Sequence, residues 1–70
     1  MKISYKKLWK LLIDRDMKKK DLAEQSGVSN ASIEKLGRNE NVNTDILLKI
    51  CVALKCDISD ILEIVPDEAE

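Results

Sequence analysis

The chain has 70 residues, of which 44% are hydrophobic but only 3% aromatic. This length predicts one domain with an aliphatic core, near the lower size at which a single core is stable. We see neither an apolar run long enough for a membrane span nor a secretory leader, so we expect a cytoplasmic protein without membrane contact. There is no histidine and no glycine-rich phosphate loop, and the core is too small for a deep cleft. An enzyme is therefore disfavoured, and we expect no cofactor and no small-molecule substrate.

The charge of the chain is divided between its two halves. Residues 1–39 hold ten Lys or Arg against five Asp or Glu, a net charge of +5, whereas residues 40–70 hold two against eight, a net charge of −6. Together they give the total of −1. Contact with phosphates depends on the charge of a patch more than on the total, so the basic half favours a nucleic-acid partner. Charges that alternate only for solubility are the other interpretation.

The first predicted helix runs from Ile3 to Arg15, with Ser4 as a plausible N-cap. Its leucines recur at a spacing of i, i+3, i+4, at Leu8, Leu11 and Leu12. Three more apolar residues widen this face: Tyr5, Trp9 and Ile13. The apolar arc is wider than one core-facing stripe needs, which predicts burial on two sides or contact with a partner.

The centre of the chain predicts two short helices joined by a tight turn. Their apolar or small residues would face inward: Leu22, Ala23, Val28, Ile33 and Leu36. Gly27 lies between the helices, where a turn with positive φ favours glycine. Ser29 precedes the second helix, where its hydroxyl can act as an N-cap. That second helix has a polar outer face and the right width to enter a DNA major groove.

The spacing of Ala23, Gly27 and Ile33 resembles the helix-turn-helix of the phage Cro/repressor-like (XRE-type) family. The flanking predicted helices are also similar to helices of that family, so the resemblance covers roughly residues 3–65. Its members are sequence-specific DNA-binding transcription regulators. The resemblance implies an all-α, five-helix domain with the helix-turn-helix at its centre.

The resemblance also implies which side chains face base edges. They stand on the second helix of the pair: Asn30, Ala31, Ser32 and, one turn on, Lys35. An asparagine amide can bond adenine, an alanine can pack on a thymine methyl, and a serine can donate or accept. Helix-start chemistry alone is the alternative for Asn30 and Ser32. For Glu34 we favour an ion pair with Arg38 over a bond to cytosine, because phosphates repel an unpaired carboxylate.

Phosphate contacts are expected on both sides of that helix. Lys18 and Lys19 stand at the start of the first helix of the pair, where backbone N–H and ammonium groups can clamp a phosphate. A merely solvated lysine run is the alternative. Arg38, Asn39 and Asn41 match positions where the family touches phosphates just beyond the reading helix. A glutamine commonly stands in the family where this chain has Lys19, and a lysine cannot supply the paired donor and acceptor with which that amide braces the reading helix.

Two further helices are predicted in the acidic half. Asn43 or Thr44 would cap a helix that runs to about Lys55, with inward residues Leu47, Ile50, Cys51 and Leu54. A fifth helix would open at Asp57 or Ser59 and end at Pro66, with inward residues Ile58, Ile61, Leu62 and Val65. The domain would then span residues 1–66, and residues 67–70 would form a short acidic tail.

Cys51 and Cys56 have a structural and a chemical interpretation. A disulfide, a metal site or a redox switch is conceivable, but two thiols without histidine do not complete a tetrahedral zinc shell. We therefore expect core thiols and no metal. Other apolar residues are left on outer faces and could supply a homodimer surface: Leu48, Val52 and Ile64, with Trp9 or Ile13. Scattered exposed apolar residues are the plainer alternative.

The sequence therefore predicts a bacterial or phage-encoded, sequence-specific regulator that binds double-stranded DNA, with repression favoured over activation and homodimerisation expected. The alternative is a protein–protein adaptor or antitoxin-like module that retains the fold but has a redirected surface.

Overall fold

The computed structural model describes residues 1–67, which form four α-helices, a short 3₁₀ turn and a two-stranded sheet. The elements in chain order are β1 (Lys2–Ser4), α1 (Lys6–Asp14), α2 (Lys19–Ser26), α3 (Asn30–Gly37), α4 (Thr44–Leu54), the 3₁₀ turn (Ile58–Asp60) and β2 (Glu63–Val65). None of these helices is long and apolar enough to cross a membrane. The predicted acidic tail lies outside the described residues apart from Asp67.

A single aliphatic core joins these elements. Its buried members come from every α-helix and from the segments between the elements: Tyr5, Leu8, Leu12, Leu22, Val28, Ile33, Leu36, Leu47, Ile50, Leu54 and Ile61. The stripes predicted for α1 to α4 are confirmed, with Leu11, Ala23 and Cys51 half-buried at the edge of the core. Because α2 packs against both α3 and α4, the core fixes the helix pair from behind.

The start of the first predicted helix is wrong. Lys2–Ser4 is a strand, and α1 begins only at Lys6, with Tyr5 at the N-cap position. Ser4 is buried, and its hydroxyl accepts the Lys6 N–H at 3.3 Å, so it contacts the helix start from one position before the cap. The Tyr5 side chain makes no capping hydrogen bond to the first turn of α1.

The fifth predicted helix is also wrong, and the domain is not all-α. After one 3₁₀ turn capped by Asp57, the chain extends into β2, which pairs antiparallel with β1 in the register Lys2↔Val65, Ile3↔Ile64 and Ser4↔Glu63. Of the four residues expected to point inward, Ile61 is fully buried, Leu62 and Val65 are half-buried, and Ile58 is exposed. The i, i+3, i+4, i+7 spacing of these residues suits a helix, but β-branched residues dominate the segment and β1 offers it backbone partners.

Candidate DNA-binding surface

The turn between α2 and α3 depends on one left-handed residue. Gly27 has φ +75°, and its N–H donates to the Ala23 carbonyl at 3.0 Å, which ends α2. The Ser26 hydroxyl donates to the Leu22 carbonyl at 2.6 Å and accepts the Val28 N–H at 3.2 Å. The three-residue connection typical of a helix-turn-helix is therefore closed by its own backbone and hydroxyl groups.

The first turn of α3 is capped as predicted. The Ser29 hydroxyl accepts the Ser32 N–H at 3.3 Å and also lies 3.2 Å from the Ser32 hydroxyl. The Ile33 N–H donates to the Ser29 carbonyl at 3.1 Å, which closes the first helical turn. Because the cap fixes the start of α3, it also fixes the direction of the side chains that follow it.

The residues predicted to read bases lie on the outer side of α3. Asn30, Ala31 and Lys35 are exposed. Ser32 is half-buried, and its hydroxyl accepts a hydrogen bond from the Ser29 hydroxyl. On the opposite side Ile33 and Leu36 are buried in the core. The chain therefore presents an amide, a methyl and an ammonium group together, with a hydroxyl partly engaged beside them.

The lysines before α2 differ in what they contact. The Lys18 N–H donates to the Asp21 carboxylate at 3.0 Å across the first turn of α2, and its side chain is exposed. The Lys19 ammonium lies 4.8 Å from the centre of the Trp9 ring, and a β-carbon added at Gly37 would lie 3.5 Å from it. Lys19 thus connects the start of α2 to α1 and to the end of α3, although it lacks the amide expected from the family pattern.

The predicted pair between Glu34 and Arg38 is wrong. The Arg38 guanidinium instead bonds the Glu40 carboxylate, two residues on in the loop after α3. This contact raises the pKa of Arg38 and lowers that of Glu40. Both side chains are exposed, and sequence reasoning missed Glu40 because it considered helical spacing alone.

Asn39 connects the loop after α3 to the start of α1. Its side-chain oxygen accepts the Tyr5 N–H at 3.1 Å, and its backbone is left-handed, with φ +57°. Asparagine tolerates this conformation better than most residues, so the residue type at position 39 is compatible with a left-handed turn. Asn41 is exposed. Because the side-chain oxygen of Asn39 is used by Tyr5, the predicted phosphate contact of Asn39 would have to be made by its side-chain NH₂ group.

The apolar residues considered for a dimer surface do not all line one groove. Leu48 and Val52 are 62% and 68% exposed, and together with Ile58 they line an open groove of about 640 Å³ beside α4. Ile13 and Ile64 are exposed but do not line this groove, and Trp9 is half-buried against Lys19.

Comparison with known proteins decides the family. A family profile described as the Cro/C1-type helix-turn-helix DNA-binding domain matches residues 7–67. The chain belongs to the Cro/C1-type helix-turn-helix family. Its fold is also similar to the crystal structure of the transcriptional regulator VanUg (form II), with a TM-score of 0.89 and 57% sequence identity, over 94% of this chain and 88% of that one. No curated protein sequence matches the chain significantly.

Membership in the Cro/C1-type family confirms the resemblance first drawn from Ala23, Gly27 and Ile33. It makes the chain a DNA-binding domain whose helix pair is α2 and α3. The matched range also includes the 3₁₀ turn and β2, so the departure from five helices lies inside the family domain.

Proposed function

We propose that this Cro/C1-type domain is a transcriptional regulator that inserts α3 into the major groove of double-stranded DNA and reads sequence with its first turn. The observation that carries the proposal is the position of Asn30 and Ala31, which are exposed at the capped start of α3. The opposite face of this helix is buried in the core through Ile33 and Leu36. Asparagine and alanine suit an adenine edge and a thymine methyl, and Lys35 suits a guanine edge or a phosphate. The similarity to VanUg, whose name describes a transcriptional regulator, supports the regulatory role.

Phosphate contacts fix the position of the domain in this proposal. Lys18 and Lys19 lie at the start of α2, and Arg38, Asn39 and Asn41 follow α3. The Lys19 ammonium lies near Gly37 at the end of the reading helix, next to Arg38, so the two groups can contact the DNA backbone together beside the groove. The positive charge of residues 1–39 supplies the favourable field although the whole chain carries −1.

Repression by a homodimer is the form of regulation that we favour. Two copies would each read one half-site, because a single short helix gives limited affinity and specificity. The exposed Leu48 and Val52 of α4 offer a face for the second copy. A promoter–reporter assay in a bacterial host decides the sign: deletion of the gene should raise expression from the bound promoter.

The test separates positioning from reading. A preferred duplex is first selected from random DNA, and binding is followed by fluorescence anisotropy over a range of salt concentrations. Lys18→Ala should weaken binding to selected and random duplexes alike and reduce the salt slope by about one unit. Asn30→Ala should relax preference at one base position at a cost of about 1–3 kcal/mol and leave the slope unchanged. Lys49→Ala removes the same charge from α4 and serves as the control that should change neither.

Two results would contradict the proposal. Equal effects of Lys18→Ala and Lys49→Ala would show that the start of α2 does not touch phosphate. An absence of salt-sensitive binding to any duplex would instead favour the adaptor or antitoxin-like module.

A further inference from the structure

The end of α4 brings two cysteines together. Lys55 is left-handed, with φ +54°, and the Cys56 N–H donates to the Cys51 carbonyl at 3.0 Å. This bond across the left-handed residue is that of a Schellman motif, in which the two flanking side chains usually touch. Here those side chains are thiols, and each affects the pKa of the other.

The backbone geometry of this turn is compatible with a disulfide. The 3.0 Å bond between Cys56 and Cys51, with the covalent bonds at its two ends, limits the separation of their Cα atoms to about 7 Å. Only a straight path through those atoms would reach the limit. Bridged cysteines usually have Cα atoms roughly 4.4–6.8 Å apart, so the capping turn already holds the pair at a bridging distance.

Both thiols can be reached from solvent. Each is half-buried, and each lines the open groove beside α4. Cys56 also lines a second open cavity, of about 440 Å³, together with Arg15 and Lys55. We therefore expect a small linear disulfide to reach the pair without unfolding of the domain.

We propose that Cys51 and Cys56 form a modification site that reacts with low-molecular-weight disulfides and closes to an intramolecular disulfide. One cysteine thiolate attacks the small disulfide, forms a mixed disulfide and releases one small thiolate. The second cysteine thiolate then attacks the protein sulfur of that mixed disulfide and releases the other small thiolate. The protein pair loses two electrons, the small disulfide gains them, and the protons of the two cysteines pass to the released thiolates. This inference does not depend on DNA binding.

The surroundings of the pair set the conditions of the test. Burial raises the pKa of both thiols, and nearby Asp57 and Asp60 add to that effect. For Cys56, the Cys51 thiol and the Arg15 guanidinium act in the opposite direction. Because the thiolate is the nucleophile, the reaction is best followed at a pH of about 9.

The test uses oxidised glutathione and intact mass spectrometry after acid quenching. We expect the folded chain to lose two hydrogen atoms and to carry no glutathione. Cys51→Ser and Cys56→Ser should each retain one bound glutathione, because the second attack is removed. Wild-type chains that retain glutathione on both thiols, or that become linked to one another, would overturn the proposal.

A measurement in urea shows whether the fold contributes. The ratio of closed to open chain at fixed glutathione and glutathione disulfide concentrations gives the effective concentration of one thiol at the other. We expect this ratio to be at least about tenfold higher in the folded chain than in the urea-unfolded chain, because the turn fixes the distance that a flexible chain must sample. Equal ratios would mean that nearness in sequence alone drives closure, and the proposed site would be wrong.

Discussion

Replacement of Asn39 tests whether this residue supports the fold, DNA binding or both. In Asn39→Ala the Tyr5 N–H loses its acceptor at 3.1 Å, and alanine must adopt φ +57°. In Asn39→Gly the acceptor is also lost, but glycine adopts the left-handed backbone without steric cost. In Asn39→Asp the acceptor oxygen and the tolerance of left-handed φ are both kept, while a negative charge appears where a phosphate contact is proposed.

The expected magnitudes follow from these two contributions. An unsatisfied, partly buried N–H costs about 1–3 kcal/mol, and a left-handed residue other than Gly, Asn or Asp costs about 1–2 kcal/mol. We therefore expect Asn39→Ala to lower the free energy of unfolding by about 2–5 kcal/mol and Asn39→Gly by about 1–3 kcal/mol. Asn39→Asp should stay within about 1 kcal/mol of the wild type, since neither cost applies to it.

Urea unfolding followed by the fluorescence of Trp9 measures all three variants. A small domain has only a few kcal/mol to lose, so the measurements belong near the temperature of maximum stability. If Asn39→Ala and Asn39→Gly unfold like the wild type, the Asn39–Tyr5 bond does not support the fold and the reasoning is refuted. DNA binding by the stable Asn39→Asp variant then decides the second role: a loss for all duplexes supports the phosphate contact, and unchanged binding excludes it.

Three further variants test the turn, the proposed dimer face and the exposed ion pair. Gly27→Ala should lower the free energy of unfolding by about 1–2 kcal/mol from its φ of +75° alone, because no atom lies within 4 Å of the added carbon; Gly37→Ala, in ordinary helical backbone, should be neutral or stabilising by up to about 1 kcal/mol in the same urea titration. Leu48→Glu combined with Val52→Glu should turn a sedimenting dimer into a monomer and leave half-site binding intact; an unchanged sedimentation coefficient would exclude this face. Glu40→Gln should raise affinity for random duplex DNA and steepen its salt dependence, and unchanged anisotropy curves would mean that the pair is irrelevant to binding.

Features that depend on local spacing could be predicted from the sequence. The left-handed Gly27, the Ser29 cap, the Asn43 cap and the apolar faces of α2 to α4 all follow from residues within one or two turns of each other. The exposed start of α3 belongs with them, because Ile33 and Leu36 fix which side is buried.

Features that join distant parts of the chain could not be predicted in this way. The pairing of Ile3 with Ile64 depends on two short segments at opposite ends of the domain, each with a helix-compatible pattern. The Asn39–Tyr5 bond spans 34 positions, so neither residue shows its partner in its own neighbourhood. The Arg38–Glu40 pair was missed for a different reason. The predicted pair of Glu34 with Arg38 assumed helical spacing of four residues, but α3 ends at Gly37 and Arg38 already lies beyond it.

Two of the cations proposed to touch phosphate already contact another side chain in the free protein. Arg38 bonds Glu40, and the Lys19 ammonium rests over Trp9. DNA must therefore replace one partner with another, so the gain from each contact is a difference between two interactions. An exposed ion pair is weak and screened by salt, which makes Arg38 easy to redirect. Lys19 is exposed although its ammonium lies over the Trp9 ring, so we expect it to keep its contact with α1 while it meets a phosphate.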